Sequence, residues 1–124
     1  MTLSELLKNC SFHDSTIKDI EYNQQTKQVK AILNFCNCFQ NEFTGKSDDT
    51  LFVHLIFYNV TDIEYDGFAP DARRSDEILD ESLEVNSSGK EGIHFLMEKS
   101  WTHSCYDIRI FADSVDFVVV EQPS

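Results

Sequence analysis

The chain has 124 residues, of which 41% are hydrophobic, and its 22 acidic residues against 10 basic ones give a net charge of −12. This length fits one domain with a buried core, and the apolar content is too high for a disordered chain. The acid excess disfavours nucleic acid as a ligand, because phosphate contacts need Lys and Arg, and it favours a basic protein or a metal ion as the partner. Residues 1–10 lack a secretory leader pattern, and no segment approaches the roughly 20 apolar residues of a membrane helix. We therefore expect a cytoplasmic protein with no membrane association.

A short helix and a hairpin are predicted at the N-terminus. Thr2 and Glu5 form a capping-box pattern, which predicts a helix over residues 2–9. β-Branched and aromatic residues in the segment 16–22, and strict alternation of apolar residues over the segment 29–35, predict two strands joined by a short polar link.

The middle of the chain reads as a loop, two strands and a second helix. Residues 39–50 are polar and predict a loop, whereas residues 51–58 are apolar at nearly every position and predict a covered strand. The segment 62–66 alternates acidic and apolar residues, as in a half-exposed strand. Ser75 is a candidate helix cap, so we expect a short helix near residues 75–83.

Three strands close the chain, over residues 92–98, 105–112 and 115–120, with Asp113 and Ser114 as a tight connection between the last two. Short links favour antiparallel pairing, because a parallel crossover needs a dozen residues or more. The prediction is a single α+β domain over residues 1–124. It is mainly an antiparallel β-sheet of about six to eight strands, curved into a sandwich or half barrel.

The segment Phe12-His13-Asp14-Ser15, followed by Ile17 and by Ile20-Glu21-Tyr22, resembles the opening of a family of small bacterial proteins with an N-terminal His-Asp turn. The segments Ile63-Glu64-Tyr65-Asp66-Gly67 and Ile108-Arg109-Ile110-Phe111-Ala112 are similar to later strands of that family. The family includes immunity-type proteins of bacterial polymorphic toxin systems. The resemblance implies a stand-alone cytoplasmic protein that binds and blocks a toxin domain without catalysis.

The acidic residues concentrate between Thr61 and Asn86, where nine acids face two arginines. Such a run is typical of a solvated face, and equally of a face that binds a basic partner. Aromatic side chains beside the acids are suited to anchoring an interface. The predicted partner-binding residues are Asp62, Glu64, Tyr65, Asp66, Phe68, Asp71, Asp76, Glu77, Asp80 and Glu81.

Two further groups of residues have both a chemical and a structural interpretation. His13 and Asp14 could act in general base catalysis, but we predict a structural turn, in which Asp14 accepts backbone N–H bonds and His13 packs or bonds across the sheet. The set Cys36, Cys38, His103 and Cys105 contains zinc-type ligands, yet its spacing departs from that of structural zinc sites. We predict no catalytic residue and no cofactor, with a small metal-binding domain or metal-dependent enzyme as the alternative. A homodimer formed through an exposed strand such as residues 115–120 is a third option.

Overall fold

The computed structural model describes residues 1–36, 50–66, 76–100 and 102–120. Its elements are the helix α1 (Leu3–Asn9) and the strands β1 (Thr16–Asn23), β2 (Gln28–Cys36), β3 (Thr50–Tyr58), β4 (Asp62–Asp66), β5 (Asp76–Val85), β6 (Glu91–Glu98), β7 (Cys105–Phe111) and β8 (Ser114–Val120). All eight strands belong to one antiparallel sheet, in the order β4-β7-β6-β5-β1-β2-β3-β8. The predicted fold class is confirmed. Within the described ranges, no helix has the length and apolarity needed to cross a membrane.

Helix α1 begins with the predicted capping box. The Glu5 backbone N–H donates to Thr2 Oγ1 at 3.1 Å, and the Thr2 N–H donates to Glu5 Oε1 at 2.8 Å. Two N–H groups that would otherwise lack an intrahelical partner are thereby satisfied. Leu3 and Leu6 are fully buried on the side of α1 that contacts β5, β6 and β8.

The sheet is rolled rather than flat, as two short connections require. β3 and β4 lie six positions apart in the strand order, as do β7 and β8. In a flat sheet this separation would be about 29 Å, at about 4.8 Å per strand. The connection from Tyr58 to Asp62 spans at most about 14 Å, and that from Phe111 to Ser114 at most about 11 Å. The two ends of the sheet must therefore approach each other, which agrees with the predicted sandwich or half barrel.

The core lies between the two halves of the rolled sheet, which are β4-β7-β6-β5 and β1-β2-β3-β8. The fully buried Phe12 joins them: its ring centroid lies 5.4 Å from that of Phe35 in β2 and 5.7 Å from that of Phe95 in β6, both edge-to-face. Alternate residues of each half point into this single hydrophobic cluster. Consequently the other face of each half is the molecular surface.

The helix predicted near residues 75–83 is wrong, because β5 occupies this segment. Glu and Leu favour helix in isolation, but antiparallel pairing with β6 along the whole strand overrides that preference. A register shift between Ile78 and Asp80 marks a bulge, which breaks the alternation of buried and exposed residues. The sequence therefore lacks the clean period of two that indicates a strand.

The tight connection at Asp113 and Ser114 does not make a hairpin. β7 pairs with β6 and β4, whereas β8 pairs with β3. The connection instead carries the chain from one half-sheet to the other, and the Asp113 N–H donates to the Tyr58 carbonyl at 3.0 Å. The predicted loop at residues 39–50 lies almost entirely outside the described residues.

Candidate functional site

The charge of the molecule is divided unequally between the two half-sheets. The strands β4, β5, β6 and β7 contain eleven acids and one base, Arg109, for a net charge of −10. The strands of the other half, β1, β2, β3 and β8, contain two bases and three acids, for a net charge of −1. One half-sheet therefore carries almost all of the net charge of the chain.

Strand register places the outward acids of this half in neighbouring rows. One row runs from Glu64 through Arg109 and His94 to Ser82, and the next pairs Asp107 with Leu96 and Leu96 with Asp80. Outward residues of one row and the next are about 7 Å apart along a strand. We call the resulting surface the acidic face, which consists of Asp62, Glu64, Glu77, Asp80, Glu84, Glu98 and Asp107 around His94 and Arg109.

A polar network occupies the centre of the acidic face. His94 Nε2 lies 2.5 Å from Asp107 Oδ1, so this nitrogen donates to the carboxylate. Arg109 Nε donates to Glu84 Oε1 at 3.0 Å, and the other Glu84 oxygen lies 3.8 Å from His94 Nδ1. These four side chains are half-buried, and charge-assisted bonds of this kind are stronger where water is partly excluded. The network holds two of the acids in place and leaves the surrounding ones in solvent.

Ser82, His94 and Asp107 lie in one line, which invites comparison with a Ser-His-Asp triad. Ser82 Oγ is 3.5 Å from His94 Nδ1, at the outer limit of a hydrogen bond, beside a depression of about 240 Å³. Acyl transfer also needs donors for the oxyanion. In the middle of a paired sheet the backbone N–H groups are engaged by neighbouring strands, and the adjacent Asp80 and Glu84 would repel an oxyanion. This geometry suits recognition of positive charge better than nucleophilic catalysis.

Four of the ten predicted partner-binding residues belong to the acidic face. Asp62 and Glu64 are exposed on β4, the edge strand next to β7. Asp80 is exposed and Glu77 is half-buried on β5, at the opposite side of the face. The two acidic segments of the chain are thus brought onto one surface, with β7 and β6 between them.

Three of the other predicted residues do not point outward on this face. Asp76 is wrongly predicted as a surface residue: it is fully buried, and Oδ2 accepts a hydrogen bond from the Tyr106 hydroxyl at 2.6 Å. Glu81 follows the bulge and turns to the inner side, where Oε1 accepts the Phe12 N–H. Tyr65 alternates with Glu64 and so lies on the other side of β4, where it is still 38% exposed and partial burial raises the pKa of its phenol.

The remaining predicted residues lie wholly or partly beyond what the structure describes. Asp66 ends β4 in register with Asp107, and only its backbone position is described. Phe68 and Asp71 lie outside the described residues. The face defined above therefore rests on none of these three side chains.

His13 and Asp14 form a turn, as predicted. Asp14 adopts φ 66°, and its N–H donates to the Ile78 carbonyl at 3.1 Å. His13 Nδ1 donates to the Leu79 carbonyl at 2.8 Å, which joins the turn to β5. This bond, with the nearby Asp14 carboxylate, raises the pKa of His13. The turn also brings His13 Nε2 to 3.5 Å from Asp14 Oδ1, whereas an extended chain would point the two side chains apart.

The alternative metal set is not brought together among the described residues. Cys36 ends β2 and Cys105 begins β7, with β6, β5 and β1 between those strands. His103 is exposed and approaches Glu98 at 3.7 Å, and Cys38 lies outside the described residues. In the described part of the chain, no group of three or more His, Cys, Asp or Glu side chains is arranged to hold a metal ion.

The sequence prediction missed the centre of the acidic face, since His94, Asp107, Arg109 and Glu98 lie far along the chain from the acidic run. A usable signal was present. In β6 and β7 these polar residues alternate with apolar ones, which indicates an outward row on a half-exposed strand.

Comparison of the chain with protein-family models, with curated proteins and with solved structures finds no match.

Proposed function

We propose that this chain is a non-catalytic binding protein whose acidic face docks onto a basic partner protein. The observation that carries the proposal is the acidic face, on which seven acids surround His94 and Arg109 in a half-sheet whose four strands carry a net charge of −10. Complementary charge of this kind raises association rates toward roughly 10⁸–10⁹ M⁻¹s⁻¹ at low salt. It also rejects acidic competitors.

The size of the face sets its place in an interface. Four strands and four rows cover about 14 Å by 20 Å, or roughly 300 Å², whereas a stable complex buries about 800 Å² on each partner. The acidic face is then the centre of the contact, and neighbouring surface supplies the rim. These carboxylates project from paired strands rather than from loops, so little conformational freedom of the backbone is lost on binding.

The specific form that we propose is a cytoplasmic immunity-type protein that neutralises a bacterial toxin domain. Support for this form comes from the resemblance carried by the His13-Asp14 turn, together with a surface suited to covering a basic cleft. The mechanism is steric occlusion of the toxin's active site, which requires no cofactor and no catalytic residue of this chain.

Two charge-reversal pairs test the binding role. Glu64→Lys with Asp80→Lys reverses two acids of the acidic face, and Asp19→Lys with Glu21→Lys reverses two acids of β1. Each reversal adds two positive charges, so both pairs change the net charge from −12 to −8. The two variants therefore have the same net charge and change it at different places, and the β1 pair also removes the ion pair of Glu21 with Lys30.

The probe for charge recognition is a Lys-rich peptide. Its binding is measured by NMR chemical-shift mapping on the isotope-labelled chain. We expect shifts on β4 to β7, and roughly tenfold weaker binding for the acidic-face pair, since several charge contacts are lost at about 1 kcal/mol or less each. Equal weakening by both pairs would mean that net charge alone attracts the peptide, and the acidic face would lose its role.

The toxin form has a separate test. The probe is the basic C-terminal domain of a protein encoded beside this chain's gene, produced in cells with and without this chain. Rescue of growth by the wild type and by the β1 pair, but not by the acidic-face pair, supports immunity. Failure of the wild type to rescue would reject that form while leaving the peptide result intact.

A further inference from the structure

Strand β8 forms one edge of the described sheet, and beyond Val115, which Met1 covers, it has little of what usually protects an edge. β3 pairs with it without a register shift, from Phe52 opposite Val120 to Tyr58 opposite Ser114, and no described strand pairs with its other side. Edge strands are commonly guarded by Lys, Pro or bulges. The β8 sequence, SVDFVVV, has a single charge at Asp116 and neither Lys nor Pro.

The backbone of β8 shows which residues present hydrogen-bonding groups to this open side. The Val115 N–H donates to the Met1 carbonyl at 3.0 Å, and the Val115 carbonyl accepts from the Met1 amino group at 3.3 Å. Val115 therefore points its backbone away from β3. Because this direction alternates along a strand, Phe117 and Val119 also point theirs outward, whereas Asp116 and Val118 point theirs to β3.

The side chains of this edge are apolar on both faces. Val118 is 39% exposed on the outer face, and Val119 is 54% exposed on the other. Phe117 is anchored in the core, with its ring 5.1 Å from that of Phe35. A strand added here would meet a fixed backbone and a valine on each side.

Charge distinguishes the occupants that such an edge would accept. The three strands β2, β3 and β8 have no net charge, and β8 carries only Asp116, so a basic partner gains much less at this edge than at the acidic face. A second copy of this chain meets the edge with its own neutral strands. Its acidic face lies on β4 to β7, none of which pairs with β3 or β8.

We propose that β8 pairs antiparallel with β8 of a second copy, across a two-fold axis at Val118. In this register Phe117 lies opposite Val119 of the second copy, and Val119 opposite its Phe117. The two outward-facing residues that Met1 leaves open on each strand, Phe117 and Val119, are then both used, which gives four hydrogen bonds. A register centred on Phe117 would need the groups of Val115 that Met1 already occupies. The proposal concerns the half-sheet opposite the acidic face and does not depend on that face.

The register makes a covalent prediction. Val118 faces its own copy at a non-hydrogen-bonded position, where Cα atoms lie about 4.5 Å apart, within the range that a disulfide bridges. The two Asp116 residues of the dimer would be four residues apart along the strands, a distance of roughly 13 Å. In a background of Cys38→Ser and Cys105→Ser, which removes the exposed thiol of the described residues and the one outside them, Val118→Cys should form a disulfide-linked dimer under mild oxidation. Asp116→Cys should not.

Sedimentation of the full chain tests the association without cross-linking. We expect a monomer–dimer equilibrium at micromolar concentrations, with dimerisation weakened roughly tenfold or more in Val118→Lys and in Val118→Glu, because like charges meet at the axis. Mixing the two variants should restore a dimer, which a misfolded variant would not do. The pair Glu64→Lys and Asp80→Lys should leave dimerisation unchanged.

Three results would overturn the proposal. They are a wild type that stays monomeric at all these concentrations, equal cross-linking through Cys at residues 116 and 118, and a mixture of the two charged variants that remains monomeric.

Discussion

The buried pair of Tyr106 and Asp76 gives the sharpest stability prediction. The Tyr106 hydroxyl donates to Asp76 Oδ2 at 2.6 Å, and the Ser100 N–H donates to Oδ1 at 3.2 Å. Tyr106 is 2% exposed and Asp76 is fully buried. Tyr106→Phe keeps the ring in the core and removes this donor from a carboxyl group that water does not reach.

The expected cost is about 2–3 kcal/mol of unfolding free energy, the range for a buried polar acceptor that loses a charge-assisted donor. With an m value of about 1.5 kcal/mol/M in urea, typical of a small protein, the unfolding midpoint should fall by about 1.3–2 M. Urea denaturation followed by circular dichroism measures this shift, and an unchanged m value shows that two-state unfolding is preserved.

Tyr58→Phe is the matched control. It removes the same hydroxyl from the same kind of partner, since Tyr58 donates to Asp116 Oδ2 at 2.8 Å, but this pair is exposed. Water replaces the lost donor there, so the expected cost is below about 0.5 kcal/mol. If the two variants lost equal stability, burial would not be what makes the Asp76 contact important, and the reasoning would fail.

Three further predictions concern other parts of the chain. A hydrogen bond to a backbone carbonyl holds the pKa of His13 above its ordinary value of 6.5, so the stability that His13→Gln loses should be largest below about pH 6.5 and shrink as the pH rises through the folded-state pKa. Urea titrations at several pH values, with NMR titration of His13, measure this trend, and the opposite slope would contradict it. Gly92→Ala would place a Cβ 2.4 Å from Cδ1 of the Phe111 ring, so it should cost about 1–3 kcal/mol in thermal or urea unfolding; a neutral effect would show that the ring shifts freely. Burial raises the pKa of the Cys10 thiol, so Cys10 should react with a thiol reagent at pH 8 more slowly than the exposed Cys105, and equal rates on peptide mapping would count against this.

Local patterns predicted most of the elements correctly. The capping box at Thr2 and Glu5 and the alternation in β2 are sufficient signals, because a cap and a period of two depend on neighbouring residues alone. The segment of β5 shows the limit of that reasoning. Its bulge hides the alternation, and only the pairing with β6 determines its conformation.

The candidate site was predicted only in part, because a sequence shows which acids are close along the chain but not which strands lie side by side. Glu64 and Asp80 were identified from the density of acids along the chain. His94 and Asp107 were not, because they join the acidic face through strand register rather than through sequence proximity. Asp76 belongs to the same acidic run and is nevertheless buried, since it lies opposite Ile17 on the inner side of the sheet.

The sequence by itself determined the composition of this protein: a large acid excess, apolar segments that form strands, and a C-terminal strand with almost no charge. The tertiary structure alone decided where these features lie. A rolled antiparallel sheet brings residues distant in the chain to within about 5 Å of each other and sends alternate residues to opposite faces. This geometry places ten of the twelve net negative charges on one half-sheet and leaves the β8 edge with a single charge.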